Sequence, residues 1–305
     1  MAHIGTMNVL QIPFMRKVFD FYFPASWDQL STKQLLKIIP FLPAWRKAYF
    51  HFEASTQLDK VAADTVLQKY RLKALLILLD LKWWQIPLKR AFFSLYPDEV
   101  ADVLECTNFL LEAPKRRKLP FTSLKVQGLK CVGPAEDLSN FTGEEFHFAW
   151  LSHHNYSEAV RNNQPADDHL NALCAVLYRP CGQSKIHNPD APEFKGDARV
   201  PFVRFALEVN AKRWLKVDAE KKKLIAWWFG QLYVQIQKAH PDIFSSKNEG
   251  KANSLGWLPI FRSLSHTFLE HEQVAKQSIG MIFLELKEVK RKAREMERQK
   301  AKRKR

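Results

Sequence analysis

The fold class is decided by the stretch QLDKVAADTVLQKYRLKALLILL at residues 57–79. Its apolar residues recur at the spacing that places them on one face of a helix. Neither proline nor glycine interrupts the stretch, so it predicts one long helix whose apolar face packs against other elements. Similar patterns return at 206–238 and 273–298. We therefore predict a mainly α protein with a multi-helix, bundle-like body, at most a small β-hairpin, and a long basic C-terminal helix.

Helix starts are marked by two capping boxes, Ser31 with Gln34 and Thr142 with Glu145. In this arrangement each side chain binds a backbone N–H of the first turn that has no partner within the helix. Pro40 and Pro43 are expected to end the helix that begins near Ser31, because proline lacks the N–H that a helix interior requires.

Composition and the positions of proline and glycine divide the chain into four regions. We predict an N-terminal helical region at 7–114, a linker at 115–141, a second helical region at 142–272 and a basic helical tail at 273–305. Gly128 and Gly133 bracket short runs in the linker that predict a hairpin and the only strands. The stretch 179–201 holds four prolines and two glycines, so it predicts a long loop. Residues 1–6 precede a second methionine, Met7, and are left out of this fold prediction.

Composition limits the class of protein. Hydrophobic residues make up 46% and aromatic residues 12% of the 305 positions, which excludes disorder for the body. Four cysteines without a C-x-x-C pair predict reduced thiols. The longest apolar runs fall short of the roughly 20 residues of a membrane span. No signal peptide is evident at the N-terminus, so we expect a soluble intracellular protein.

Positive charge is concentrated at the C-terminus. The net charge is +15, and residues 285–305 contribute 11 Lys/Arg against four Asp/Glu. Such a tail is compatible with a solvated helix or with an arm that binds nucleic acid, an acidic protein or an anionic membrane. The predicted partner-binding cations of the tail are Lys290, Arg291, Lys292, Arg294, Arg298, Lys300, Lys302, Arg303, Lys304 and Arg305.

Candidate metal ligands are sparse. His147, His153, His154 and Glu158 fall on one predicted helix, but adjacent residues there point about 100° apart and do not converge on one ion. Cys174, Cys181 and His187 match no zinc spacing, and Cys174 lies among apolar residues typical of a core. We predict neither a metal nor another cofactor.

Motifs for catalysis are also missing. The chain holds no phosphate-binding loop and no Gly-x-Ser-x-Gly in a persuasive context. The acidic pairs Glu144-Glu145 and Asp167-Asp168 precede or open predicted helices, where capping and the helix dipole explain them. We predict that the protein is not an enzyme. If it were one, its polar residues would gather in loop 179–201, at Arg179, His187, Asp190 and Arg199.

Two features favour nucleic acid as the alternative ligand. Lys115–Lys118 form a compact basic cluster, and the pairs Trp83-Trp84 and Trp227-Trp228 could stack on bases. Both tryptophan pairs lie in strongly apolar segments, however, which favours core packing.

Several stretches resemble a poorly characterised family of phage and prophage proteins of Bacteroidota. They are FPASWDQLSTKQL at 23–35, LNALCAVLYRP at 170–180, RVPF at 199–202 and GWLPIF at 256–261. An aromatic-Pro-x-x-Trp-Asp-Gln-Leu-Ser opening is similar to that of tail-assembly factors. The resemblance spans most of the chain and carries over no catalytic residue. It implies a cytoplasmic location in a bacterial host cell or association with the virion.

These observations lead to two functional hypotheses. The first is a non-enzymatic phage-type structural or tail-assembly protein that contacts other tail or assembly proteins, and that could form oligomers. Its tail and loop residues Arg179 and Arg199 would contact the partner. The second is a nucleic-acid-binding protein that uses the basic patches and the tail.

Overall fold

The chain folds into two compact units, residues 1–116 and 117–305. The computed structural model describes residues 7–14, 17–80, 97–114, 118–244, 257–265 and 267–303. Within these ranges twelve α-helices accompany one two-stranded and one three-stranded sheet, so the prediction of a mainly α fold is confirmed. The unit boundary lies close to the predicted end of the N-terminal region at 114.

The first unit opens with a hairpin that the sequence prediction missed. Strands β1 (Asn8–Phe14) and β2 (Lys17–Phe23) pair antiparallel, with Asn8 opposite Phe23. The expectation that strands occur only in the linker was therefore wrong. The period-two alternation of Lys17–Phe23 carries the signal, because Tyr22 is exposed whereas Phe23 is buried.

Among the residues that the structure describes, four α-helices follow in the first unit. They are α1 (Thr32–Ile38), α2 (Leu42–Ala54), α3 (Gln57–Leu79) and α4 (Pro97–Glu105). The Ser31–Gln34 capping box is present, and α3 has the predicted bounds. Pro43 does not simply end α1, because it also opens α2, where its missing N–H costs nothing.

The second unit begins with the predicted hairpin. Strands β3 (Ser123–Val126) and β4 (Leu129–Val132) pair antiparallel. The turn between them holds Gln127 and Gly128 at positive φ, 46° and 86°, as hairpin turns with the twist of the strands require. Strand β5 (Arg179–Pro180) adds to β4 and ties the start of the long loop to this sheet.

In the described part of the second unit, eight α-helices follow the hairpin. They are α5 (Gly143–Arg161), α6 (Asp167–Leu177), α7 (Leu207–Arg213), α8 (Ala219–Ala239), α9 (Pro241–Phe244), α10 (Leu258–Ser263), α11 (Phe268–Lys276) and α12 (Ile279–Arg303). The helix predicted at 206–238 is divided near Asp218, whose carboxylate caps α8. The two helices predicted at 258–269 and 273–298 are three in the structure.

The break between α11 and α12 fixes the start of α5. The Gly143 N–H donates to the Gln277 carbonyl, and the Ile279 N–H donates to the Phe141 carbonyl. Gly143 also allows a close approach, because a Cβ there would lie 2.4 Å from Ile282 Cδ1. These bonds explain why one continuous helix does not form, since the backbone at 277–278 pairs with the segment before α5.

Aromatic side chains form much of the second unit's core. Phe146 of α5 lies against the rings of Phe229, Tyr233, Trp257 and Phe283, with ring centroids between 4.9 and 6.5 Å apart. These rings come from α5, α8, the start of α10 and α12. The core therefore joins both ends of the unit's sequence.

Candidate functional site

A buried ion cluster lies beneath the long loop of the second unit. Glu145, Arg179 and Arg199 have side chains that are 4%, 4% and 0% exposed, and Asp197 joins them at 25%. Arg179 pairs with Glu145, and Arg199 lies 3.6 Å from the same carboxylate. Asp197 accepts from Arg199 Nε and Nη2, each at 2.9 Å. Two guanidinium groups thus share two carboxylates inside the fold.

Glu145 has two tasks in this cluster. Its carboxylate accepts the Thr142 N–H at 3.3 Å, which completes the capping box of α5. The same carboxylate balances the two arginines. Burial and the neighbouring Arg199 charge lower the pKa of Arg179, whereas Glu145 and Asp197 raise it. The cluster therefore depends on its carboxylates, because a buried charge without a partner is strongly unfavourable.

Arg199 also fastens the loop to its surroundings. Its guanidinium donates to the backbone carbonyls of Leu177 at 3.3 Å and Asn140 at 3.0 Å, and it lies 5.1 Å from the Phe141 ring centroid. Backbone bonds close the base of the loop, because Gly182 N–H donates to Ala198 and Val200 N–H to Pro180. The stretch 179–201 is thus a strapped loop with defined contacts.

Three of the four loop residues considered for catalysis line one cavity of about 650 Å³. Arg179, His187 and Arg199 border it, whereas Asp190 is exposed and its N–H binds Asn188. Lys195 and Asp197 were not predicted and also line it. Asp197 could have been suspected from its position two residues before Arg199, which places both side chains on one side of an extended segment.

The structure places Arg179 and Arg199 differently from the sequence interpretation. They were predicted as partner-contacting residues of the long loop, and in the structure both side chains are buried and held by carboxylates. Their guanidinium groups stabilise the loop from within. Direct contact with a protein partner would require the strapped loop to open.

The histidines predicted on one helix do not converge. The His147 Nδ1 accepts the Trp257 N–H at 3.3 Å, His153 packs against Phe229 and His154 stacks on Trp150. Glu158 pairs with Arg161 instead. Within the described ranges no three His, Cys, Asp or Glu side chains are grouped as metal ligands.

Protonation of His147, which is buried, and of His153, which is half-buried, is expected to make stability pH-dependent. Burial lowers the pKa of His147 and of His153 from 6.5 to about 4. Below pH 6.5 the unfolded chain then binds more protons than the folded chain. The contribution of the two neutral histidines to the free energy of unfolding is therefore complete above that pH and is lost as pH falls toward 4. Between pH 7 and 5 the free energy of unfolding should decrease by about 2 kcal/mol for each group.

Urea unfolding at pH 7 and pH 5 measures this effect. The variant His147→Leu/His153→Leu should show a smaller decrease than the unmodified chain. The control variant His51→Gln, at an exposed position of α2, should retain the full decrease. Equal decreases in all three proteins would contradict the assignment to His147 and His153.

The C-terminal helix α12 begins in the core, and its later part is exposed. We call the exposed part, Arg291–Lys300, the arm. Ile279, Ile282, Phe283 and Leu286 lie in the core. Lys290 then donates to the backbone carbonyls of Asp242 and Ile243 at the end of α9. The remaining predicted cations with described side chains, Arg291, Lys292, Arg294, Arg298 and Lys300, are exposed.

Arg294 makes a second contact between α12 and α9. We call the contacts of Lys290 and Arg294 with α9 the clasp. The Arg294 guanidinium binds the Asp242 carboxylate at 2.6 Å, and this bond lowers the pKa of Asp242. Beyond the clasp, Arg291 pairs with Glu288 and Glu295 along the helix surface. Lys302 and Arg303 belong to the helix, whereas Lys304 and Arg305 lie outside the described residues.

The other candidates from the sequence have mixed outcomes. Trp228 and Cys174 are buried in the core, as core packing predicts. Trp83-Trp84 and Lys115–Arg117 lie outside the described residues. In the part of the chain that the structure describes, none of the helices has the length and apolar character needed to cross a bilayer.

Comparison of the chain with protein-family models, curated proteins and solved structures found no match.

Proposed function

We infer that the protein is a non-enzymatic structural or assembly factor that acts through protein–protein contacts, with the α12 arm as its contact for an acidic partner. In the setting that the sequence resemblance implies, the partners are tail or assembly proteins of a phage. The supporting observation is the clasp of Lys290 and Arg294 on α9. The clasp holds α12 against α9, and the cations of the arm are exposed. A partner would therefore meet an ordered basic surface.

Charge reversal on the arm tests this proposal. The variant Lys292→Glu/Arg298→Glu/Lys300→Glu should bind fluorescent poly-L-glutamate at least about tenfold more weakly than the unmodified protein, because attraction becomes repulsion. The matched control is Lys212→Glu/Lys216→Glu/Lys221→Glu, at solvent-accessible positions around α7 and the start of α8. Fluorescence anisotropy gives the affinities, and equal affinity of the two variants would contradict the role of the arm.

The nucleic-acid alternative rests on the same exposed cations. A labelled DNA duplex of random sequence, titrated at low and moderate salt, provides the comparison. Preference for the duplex over poly-L-glutamate, with a steep loss of affinity as salt rises, would favour nucleic acid.

Affinity purification from infected or induced cells tests the assembly role separately. We expect tail components, such as a tape-measure protein, to co-purify with the full chain and to be lost with the arm variant. Good yield without any such component would contradict the tail-assembly role.

A further inference from the structure

A second cavity of about 650 Å³ forms an open groove in the second unit, apart from the arm. Its walls come from α5, the segment 202–205, α10 and α11. Aromatic rings dominate the lining through Phe148, Phe202, Phe205 and Phe261. A concave, largely apolar site with a few polar groups is the usual form of a pocket for a ligand or an anchoring side chain.

A buried histidine supplies a polar group to this groove. His147 lines it and is only 4% exposed. Because Nδ1 accepts the Trp257 N–H, the neutral ring carries its proton on Nε2. Among the described residues the Trp257 N–H is its only hydrogen-bond partner. The Nε2–H therefore has no acceptor among the described residues and is available to donate to a ligand oxygen in the groove.

Exposed apolar side chains extend the groove at its mouth. Phe205 is 90% exposed, and Val203 beside it is 53% exposed. The Arg204 guanidinium lies 5.9 Å from the ring centroids of both Phe148 and Phe205. Neighbouring exposed apolar groups of this kind are typical of protein-contact surfaces.

Three cations and two carboxylates line the groove, namely Arg204, Arg262 and Lys276 with Glu144 and Glu272. Lys276 pairs with Glu272 at 3.9 Å, which leaves Arg204 and Arg262 to face an acidic partner. Burial raises the pKa of Glu144, and the charges of Arg204 and Lys276 oppose that shift. Aromatic and arginine side chains are also those that contribute most to binding at protein interfaces.

We propose that this groove binds a tyrosine side chain of an acidic segment in the protein partner. The ring packs among Phe148, Phe202 and Phe261, and its hydroxyl oxygen accepts the His147 Nε2–H. Carboxylates on either side of the tyrosine face Arg204 and Arg262. This inference rests on the proposed protein-contact function, and it names the chemistry of a partner segment at a site distinct from the arm.

Short labelled peptides test the proposal on the full chain. The probe is fluorescein-Asp-Glu-Tyr-Glu-Asp-amide. Replacement of tyrosine by alanine, or of the four acids by lysine, should weaken binding at least about tenfold in fluorescence anisotropy. Replacement of tyrosine by phenylalanine should weaken it about threefold to tenfold, because only the hydroxyl acceptor is lost. Equal affinity of the tyrosine and alanine peptides would overturn the proposal.

Variants of the groove locate the binding. Phe205→Ala and Arg262→Glu should each weaken the tyrosine peptide at least about fivefold. The matched controls Phe50→Ala and Arg161→Glu, at exposed positions outside the groove, should bind it unchanged. His147→Phe should remove the difference between the tyrosine and phenylalanine peptides. Groove variants that bind like the controls would contradict the site.

Two further measurements separate the alternatives. The arm variant of α12 should keep the preference for the tyrosine peptide over the alanine peptide, and Phe205→Ala should still bind poly-L-glutamate, so the two proposals can fail independently. N-acetyltyrosinamide should compete only at much higher concentration than the peptide. Competition at equal concentration would make the groove a small-molecule site and overturn the assignment to a partner segment.

Discussion

Replacing Glu145 with alanine is expected to lower the free energy of unfolding of the second unit by about 3–5 kcal/mol. The substitution leaves two buried arginines opposite a single, partly exposed carboxylate, Asp197. It also leaves the Thr142 N–H without its acceptor. Both losses act in the folded state alone, because water solvates these groups in the unfolded chain.

Hydrogen exchange read out by mass spectrometry measures this effect at α5 and α6 and so separates the second unit from the first. Glu145→Gln should destabilise less, because its amide oxygen can still accept the capping bond. The matched control is Glu158→Ala on the same helix, where a solvent-facing pair with Arg161 is lost, and a change of about 0.5 kcal/mol or less is expected. Equal effects of Glu145→Ala and Glu158→Ala would contradict the cluster's role.

Replacing Phe146 with alanine is expected to cost about 3–5 kcal/mol in the same unit. The ring is fully buried and contacts aromatic residues from α8, the start of α10 and α12. Its removal leaves a cavity among rigid rings, which can relax only in part. The loss should appear as faster exchange in peptides from α8 and α12, far from Phe146 in sequence.

Phe205→Ala provides the comparison for this second prediction. It deletes the same ring at a site that is 90% exposed, so stability should change by about 0.5 kcal/mol or less. Phe146→Leu should lie between the two alanine variants, since leucine refills part of the space. A small effect of Phe146→Ala, comparable to that of Phe205→Ala, would contradict the description of the core.

Local signals in the sequence predicted much of the fold. The bounds of α3 and the capping boxes at Ser31 and Thr142 follow from interactions over three or four residues. The hairpin at 123–132 follows from its turn. The break near Ser278 was missed because a distant segment pairs with the backbone there, as the bridge of Ser278 with Thr142 illustrates. The break near Asp218 does have a local signal, since its carboxylate caps α8, and the sequence analysis did not use it.

The candidate sites were harder to predict for the same reason. Arg179 and Arg199 are separated by a proline-rich loop, and nothing local shows that Glu145, from an earlier helix, lies between them. The groove likewise combines His147 with Phe205 and Arg262. Charge in the tail, by contrast, was predictable, since it is a property of neighbouring residues.

The clasp on α9 keeps the described cations that follow it on α12 close to the second unit. From Arg294 to Arg303 the rise of a helix spans only about 14 Å, roughly the width of one neighbouring helix with its side chains. A partner surface held by these cations must therefore approach the second unit closely. Under the proposed function, contact through these cations would fix the orientation of the partner at close range.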